Sequence, residues 1–142
     1  MPETINAKGQ CLCGAVHIEA KTLEQKVGAC HCTTCRQWGG GPLFAVSAGT
    51  DVTIEDDDKV TVFASSDWAE RGFCHQCGTH LFYRLRQNGE YIMPAGLFGD
   101  IDGFHFDHQV FIDQRPAYYQ FANQTKDMTG AELFALYAPE DG

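Results

Sequence analysis

The order of the seven cysteines constrains this chain more than any other feature. They fall as Cys11-Leu12-Cys13-Gly14, then Cys30-His31-Cys32-Thr33-Thr34-Cys35-Arg36, then Cys74-His75-Gln76-Cys77-Gly78. Thiols this close in sequence converge on one soft metal ion at little loop-closure cost. An odd count leaves one thiol over from any set of disulfides. Met1 to Lys8 lack the charged-then-apolar layout of an export signal, so a cytoplasmic location is expected, with metal or redox chemistry rather than a disulfide scaffold.

The cysteines divide naturally into four and three. Cys11, Cys13, Cys74 and Cys77 form two short pairs, each followed by a glycine that permits the positive φ of a tight turn. Four thiolates on one zinc leave no vacant position, so this quartet is expected to be a structural site on which folding depends. Cys30, Cys32 and Cys35 supply three ligands and leave a fourth position for water, substrate or His31. That is the arrangement of a catalytic zinc. Three thiolates overcompensate the charge of Zn²⁺, which makes the ion a weaker Lewis acid than one held by imidazoles. Binding and exchanging another thiol suits such a site better than hydrolysis by zinc hydroxide. Two blander readings of the trio are an incomplete metal site and a Cys32/Cys35 redox pair, although a redox C-x-x-C normally opens a helix in a βαβ setting.

At 142 residues the chain is expected to be one domain, 1–142, able to bury a real core. It contains no apolar run long enough for a membrane span. A formal charge of −9 disfavours nucleic acid and anionic membrane as partners, which require clustered Lys and Arg. The hydrophobic period is mainly two. Strands are expected at Val16–Ala20, Val27–Cys32, Leu43–Ser47, Val52–Glu55, Val60–Ala64, His80–Arg86, Tyr91–Met93 and Val110–Ile112. Asn88-Gly89 is a strong hairpin signal, and Asp56-Asp57-Asp58 reads as a solvated hairpin tip. Thr33–Trp38 is expected to form one helical turn. Thr129–Tyr137 carries a Thr cap with Glu three residues on. Gly39-Gly40-Gly41-Pro42 must be a loop directly after the trio. The expected class is mainly β, antiparallel, with short helical segments.

The order C-x-C-G, then C-x-C-x-x-C-R followed by glycines, then F-C-x-x-C-G-T resembles the glutathione-dependent formaldehyde-activating enzyme family, which includes centromere protein V. The resemblance spans roughly residues 9–121 and extends to Gly9, the Phe44–Val46 strand, Ser65-Ser66 and Gly96-Leu97-Phe98. It implies a β-tent fold, antiparallel sheets pinned by zinc. It implies a structural zinc at Cys11, Cys13, Cys74 and Cys77, and a catalytic zinc, one that is easily lost, at Cys30, Cys32 and Cys35. The implied reaction is that of a carbon–sulfur lyase, S-(hydroxymethyl)glutathione synthase: reversible addition of a thiol such as glutathione to formaldehyde or a related small aldehyde. The alternative is a non-catalytic zinc-stabilised module that binds ligand or senses metal or redox state.

A thiolate attacking an aldehyde needs a donor for the developing alkoxide. By sequence proximity the candidates are His31, Arg36 and the amides of Gly39, Gly40 and Gly41. Glutathione brings two carboxylates that call for basic partners, and Arg36, Arg71, Arg84, Arg86 and Arg115 are the candidates near a cleft. His75 and His80 are expected at the surface or behind the ligands, His105 and His108 in solvent, and Trp38, Phe44, Phe82 and Tyr83 in plain core. An oxidoreductase with a late reactive cysteine is disfavoured, because no cysteine follows Cys77.

Overall fold

The computed structural model describes residues 4–55 and 57–137. Eleven strands are present among them: β1 (Thr4–Gln10), β2 (His17–Glu24), β3 (Lys26–Cys30), β4 (Leu43–Gly49), β5 (Val52–Glu55), β6 (Val60–Phe63), β7 (Ala69–Cys74), β8 (His80–Leu85), β9 (Tyr91–Pro94), β10 (His105–Val110) and β11 (Lys126–Met128). Two short helices, α1 (Thr33–Gly39) and α2 (Gly130–Tyr137), complete the regular elements together with three single 3₁₀ turns. β1, β2 and β5 make a three-stranded sheet, and the others make an eight-stranded one in the order β11-β10-β3-β4-β9-β8-β7-β6. The mainly β expectation is borne out, as open sheets of the β-tent kind. Pairing is antiparallel except on either side of β10, which runs parallel to both β3 and β11.

The inward side chains of the two sheets share one core. Ile18, Ala20 and Leu23 of β2 meet Val46 and Ala48 of β4, Leu81 of β8 and Met93 of β9, all essentially free of solvent. Burying each large aliphatic side chain contributes about 1.5–3 kcal/mol, which makes this layer the main apolar contribution to the fold. Close backbone approach fixes two glycines. A Cβ on Gly9 of β1 would lie 2.7 Å from the Leu97 carbonyl oxygen, and one on Gly72 of β7 would lie 2.3 Å from the ring of Phe82 on β8.

Several expectations from the sequence need correction. The acidic turn is not a hairpin tip: β5 pairs with β2 in the small sheet, whereas β6 pairs with β7 in the large one, so the chain changes sheets there. Asp56 itself lies outside the described residues, and Asp57–Lys59 forms a 3₁₀ turn. The strand expected at Val110–Ile112 ends at Val110. Phe111 takes a positive φ of 54° and the chain turns into 3₁₀ at Ile112–Gln114. β1 and β7 were not foreseen, because Gly and charged residues interrupt their alternation.

The hairpin at Asn88-Gly89 joins β8 to β9, with Gly89 at φ 75°. Ahead of α2, Thr129 and Glu132 cap reciprocally: the Glu132 amide donates to Thr129 Oγ1 at 3.1 Å and the Thr129 amide to Glu132 Oε1 at 2.9 Å. No helix among the described residues is long and apolar enough to cross a membrane.

Gly72 sits between Arg71 and Phe73 on a strand with no room for a methyl group. Gly72→Ala is expected to lower stability by about 1–3 kcal/mol through overpacking against Phe82, measured as a lower urea midpoint at unchanged slope.

Candidate metal and thiol centre

The fold gathers the cysteines into two groups. In each, the sulfur atoms lie within 4.8 Å of one another. The first is Cys11, Cys13, Cys74 and Cys77 and the second is Cys30, Cys32 and Cys35, the partition expected from the sequence.

The quartet joins the ends of strands from different sheets. Cys11 follows β1, and Cys74 ends β7. Cys11 Sγ lies 3.5 Å from Cys13 Sγ, which lies 3.8 Å from Cys74 Sγ. Sulfurs placed tetrahedrally at about 2.3 Å from a zinc ion are about 3.8 Å apart, so the spacing fits that ion. The turns supply donors to the sulfurs: the Val16 amide reaches Cys11 Sγ at 3.3 Å, and Cys77 Sγ lies 3.1 Å from Thr79 Oγ1. The Thr79 hydroxyl and amide pull the Cys77 thiol down to about 5. Gly14 and Gly78 sit at φ 80° and 77°, the conformation expected of them.

The trio straddles the β3–α1 junction. Cys30 ends β3, and Cys32 caps α1, its sulfur accepting the Cys35 amide at 3.3 Å. Hydrogen bonds from Cys30 and Cys35 hold Cys32 well below the usual thiol range. Cys30 is pushed far up by its bonds to Cys32 and Cys35 and by burial. Cys35 also rises: a bond with Cys30 pulls it down, but Cys32 and burial outweigh that. Of the three thiols, Cys32 is therefore the one that loses its proton first.

The neighbours of the trio differ from expectation. His31 does not face it. In an extended Cys-His-Cys segment the middle side chain points opposite to its neighbours, and that alternation was available in the sequence. His31 is fully buried on the far side, with Nδ1 2.6 Å from the Tyr119 hydroxyl and Nε2 2.8 Å from Gln109 Oε1. An amide oxygen only accepts, so Nε2 carries the proton and Nδ1 accepts from Tyr119. Burial holds His31 below the ordinary histidine range. It is neither gathered with the trio's sulfurs nor part of the cavity wall described below. Arg36, the sequence candidate, donates from Nε to the His31 carbonyl at 2.9 Å and from Nη2 to Thr33 Oγ1 at 3.4 Å, which fastens the loop.

The guanidinium that reaches the sulfurs is that of Arg71 on β7. Only 3% exposed, it donates from Nη2 to Cys35 Sγ at 3.5 Å. Its faces are held by aromatic rings, Trp38 at 4.8 Å and Tyr83 at 4.9 Å from Cζ. Tyr83 is its cross-strand partner on β8. His80 stacks on Trp38, with ring centroids 3.7 Å apart and planes 7° apart. Nε and Nη1 of Arg71 are buried with no acceptor. Sequence proximity could not single out Arg71, because it is 36 positions from Cys35 and arrives through strand pairing.

Beside this stack lies a cavity of about 520 Å³, whose wall includes Cys35, Trp38, Gly39, Gly41, Thr79 and His80. Gly39 and Gly41 line it. Gly40, at φ 86°, turns the chain and commits its amide to the Arg36 carbonyl at 2.8 Å. Trp38 and Tyr83 therefore serve the site, whereas Phe82 is core. Phe44 is 39% exposed and packs edge-on against Phe106. His75 is exposed. His80 is held below the ordinary histidine range by burial and by the Arg71 charge. His108 pairs with Asp107 and packs over Gly28. Among the described residues the only groups able to gather round a metal are the two cysteine sets.

The sequence profile of the glutathione-dependent formaldehyde-activating enzymes matches residues 6–114. The chain belongs to that family. A protein of Schizosaccharomyces pombe named as an uncharacterised lyase is 42% identical over 135 residues, covering 94% of this chain and 96% of its own. The crystal structure of a Rhodobacter sphaeroides protein superposes with a TM-score of 0.55 at 27% identity, covering 67% of this chain and 90% of that one.

Metal binding requires thiolates, so a divalent ion entering the trio must displace the protons that Cys30 and Cys35 hold. Cys32, already depressed, contributes none. With the quartet filled first, cobalt(II) added to the trio is expected to release about two protons per ion, and affinity is expected to fall steeply as pH drops. A pH-indicator titration checks the count. Three protons per ion would show that Cys32 is an ordinary thiol.

Proposed function

We propose that this chain is a zinc-dependent carbon–sulfur lyase that joins and separates a thiol and a small aldehyde, the family being named for glutathione and formaldehyde. The observation that carries the reading is the convergence of Cys30, Cys32 and Cys35 beside a buried arginine and an open cavity. Cys11, Cys13, Cys74 and Cys77 would hold a structural zinc, and Cys30, Cys32 and Cys35 a second one with a position free. Zinc bound by the trio supplies a place for a thiolate and polarises a carbonyl oxygen.

The chain's own groups do the rest. Three thiolates around a divalent ion carry one net negative charge, and Arg71 cancels it. That lets a further thiolate approach without net repulsion. In the forward direction the S–H proton leaves, the sulfur–carbon bond forms, and the carbonyl pair moves onto oxygen, which takes up a proton. No electrons are gained or lost. Arg71 does not line the cavity, so it would favour a developing alkoxide through its field, from behind Cys35 in a water-poor site. His80 lines the cavity, and burial and the Arg71 charge favour its neutral form. It is suited to carry the proton between sulfur and oxygen. Arg36 and Gly40 act through loop geometry, while Gly39 and Gly41 leave room for the ligand.

The test is the rate of formaldehyde consumption with a panel of thiols. Cys32→Ser is expected to cut the rate by about a hundredfold or more while the quartet keeps the protein folded, verified by circular dichroism. Arg71→Met is expected to cost roughly as much, and Arg71→Lys less, because lysine restores charge without the planar fork. A zinc-loaded protein that binds thiols yet accelerates none of these reactions would instead be a binding or sensing module.

A further inference from the structure

The cavity beside the trio has a largely apolar, uncharged wall. Leu12, Trp38, Pro42, Leu43, Pro94 and Leu97 supply most of its side-chain surface, Gln10, Thr79 and His80 add polar groups, and no Lys, Arg, Asp or Glu lines it. Leu12 stands at the rim with 88% of its surface exposed. It is carried on the turn between two quartet cysteines, where its amide is fixed to Thr79 Oγ1 at 3.0 Å. Leu12 thereby adds accessible apolar surface to the mouth of the cavity, where a ligand's hydrocarbon would be covered.

The ten basic residues can be followed individually. Arg71 is committed to Cys35, Arg36 to the His31 carbonyl, Arg84 to Glu70 and Arg115 to the Tyr119 carbonyl. Lys8, Lys21, Lys26, Lys59, Arg86 and Lys126 do not line the cavity. The residues outside the described set contain no Lys or Arg. The formal charge of −9 sets the surrounding field against anions. Carboxylates entering this wall would lose hydration and find no partner, a cost of the kind that a built anion site avoids with arginine.

We infer that the cavity takes a thiol, or its aldehyde adduct, whose body is apolar and uncharged, with the sulfur at the Cys35 end and the carbon skeleton over Leu12, Leu43 and Leu97. This refines the lyase reading above and rests on it. The reaction keeps its balance: R–SH adds to the aldehyde carbon, and the S–H proton ends on the hydroxyl oxygen of R–S–CH₂–OH when the aldehyde is formaldehyde. Arg71, the single cation that touches the trio, is already offset by the three sulfurs, so no positive charge is left over for a carboxylate on the ligand.

The zinc-loaded full chain is titrated calorimetrically with benzyl mercaptan, 2-mercaptoethanol, N-acetylcysteine and glutathione at one pH, and each is then assayed with formaldehyde. Benzyl mercaptan is expected to bind at least about tenfold tighter than glutathione, with 2-mercaptoethanol between them. Leu12→Lys, at an exposed position that spares the fold, is expected to weaken benzyl mercaptan and strengthen glutathione, narrowing that ratio by about threefold or more. Leu12→Gln is expected to weaken benzyl mercaptan and leave glutathione unchanged. Glutathione binding as tightly as benzyl mercaptan, or tighter, overturns the inference and leaves the lyase reading standing. Failure of every thiol to bind overturns both.

Discussion

Four sulfurs meet where the ends of the two sheets come together. Cys11 and Cys13 follow β1 of the three-stranded sheet, while Cys74 closes β7 of the eight-stranded one. Cys13 and Cys74 are 61 positions apart yet their sulfurs meet at 3.8 Å. Closing a loop of that length costs about 4 kcal/mol of chain entropy on the logarithmic scaling. A structural zinc returns about 10–16 kcal/mol in small zinc domains, so a metal at this junction would outweigh the closure cost several times over. The same junction positions the cavity. Leu12, Gly78 and Thr79 come from the quartet turns, and Trp38, Gly39 and Gly41 from α1 and its exit. A chain that lost the quartet would lose one wall of its candidate active site with it.

Local chemistry was the legible part of this structure. The division of the cysteines, the helical turn after Cys32, the Thr129–Glu132 cap and the Asn88-Gly89 hairpin all depend on residues a few positions apart, and all appear where expected. What failed to show was set by register. The chain leaves the small sheet after β5, and nothing in Val52–Glu55 or Val60–Phe63 marks which sheet each joins. Arg36 stood beside the trio in sequence, but its guanidinium turned to the His31 carbonyl. Arg71 owes its place to the pairing of β7 with β8, which sets it against Tyr83. His31 is the instructive case, because the two-residue period already placed it on the face away from Cys30 and Cys32.

The His80–Trp38–Arg71–Tyr83 stack links the cysteine chemistry to the cavity. A guanidinium packed against the faces of two rings keeps its edge for hydrogen bonding, and here that edge meets Cys35. Two of its donors have no acceptor, a burial cost normally avoided. The arrangement is sustainable because the nearby sulfurs carry negative charge and the interior screens it poorly, so the cation gains from the field what it loses in hydrogen bonds. Arginine is suited to that position, being permanently charged and flat enough to be clamped.

On the proposed function, that stack would let one small region serve metal, substrate and specificity together. Trp38 shields Arg71 from water on one face and presents an apolar surface to the cavity through its stack with His80. The positive charge is therefore available to sulfur but hidden from the body of a ligand. A thiol entering meets compensation at its sulfur end and hydrocarbon elsewhere. Burying the cation instead of exposing it at the rim is what separates activation of the sulfur from recognition of the remainder, and it leaves recognition to Leu12 and its apolar neighbours.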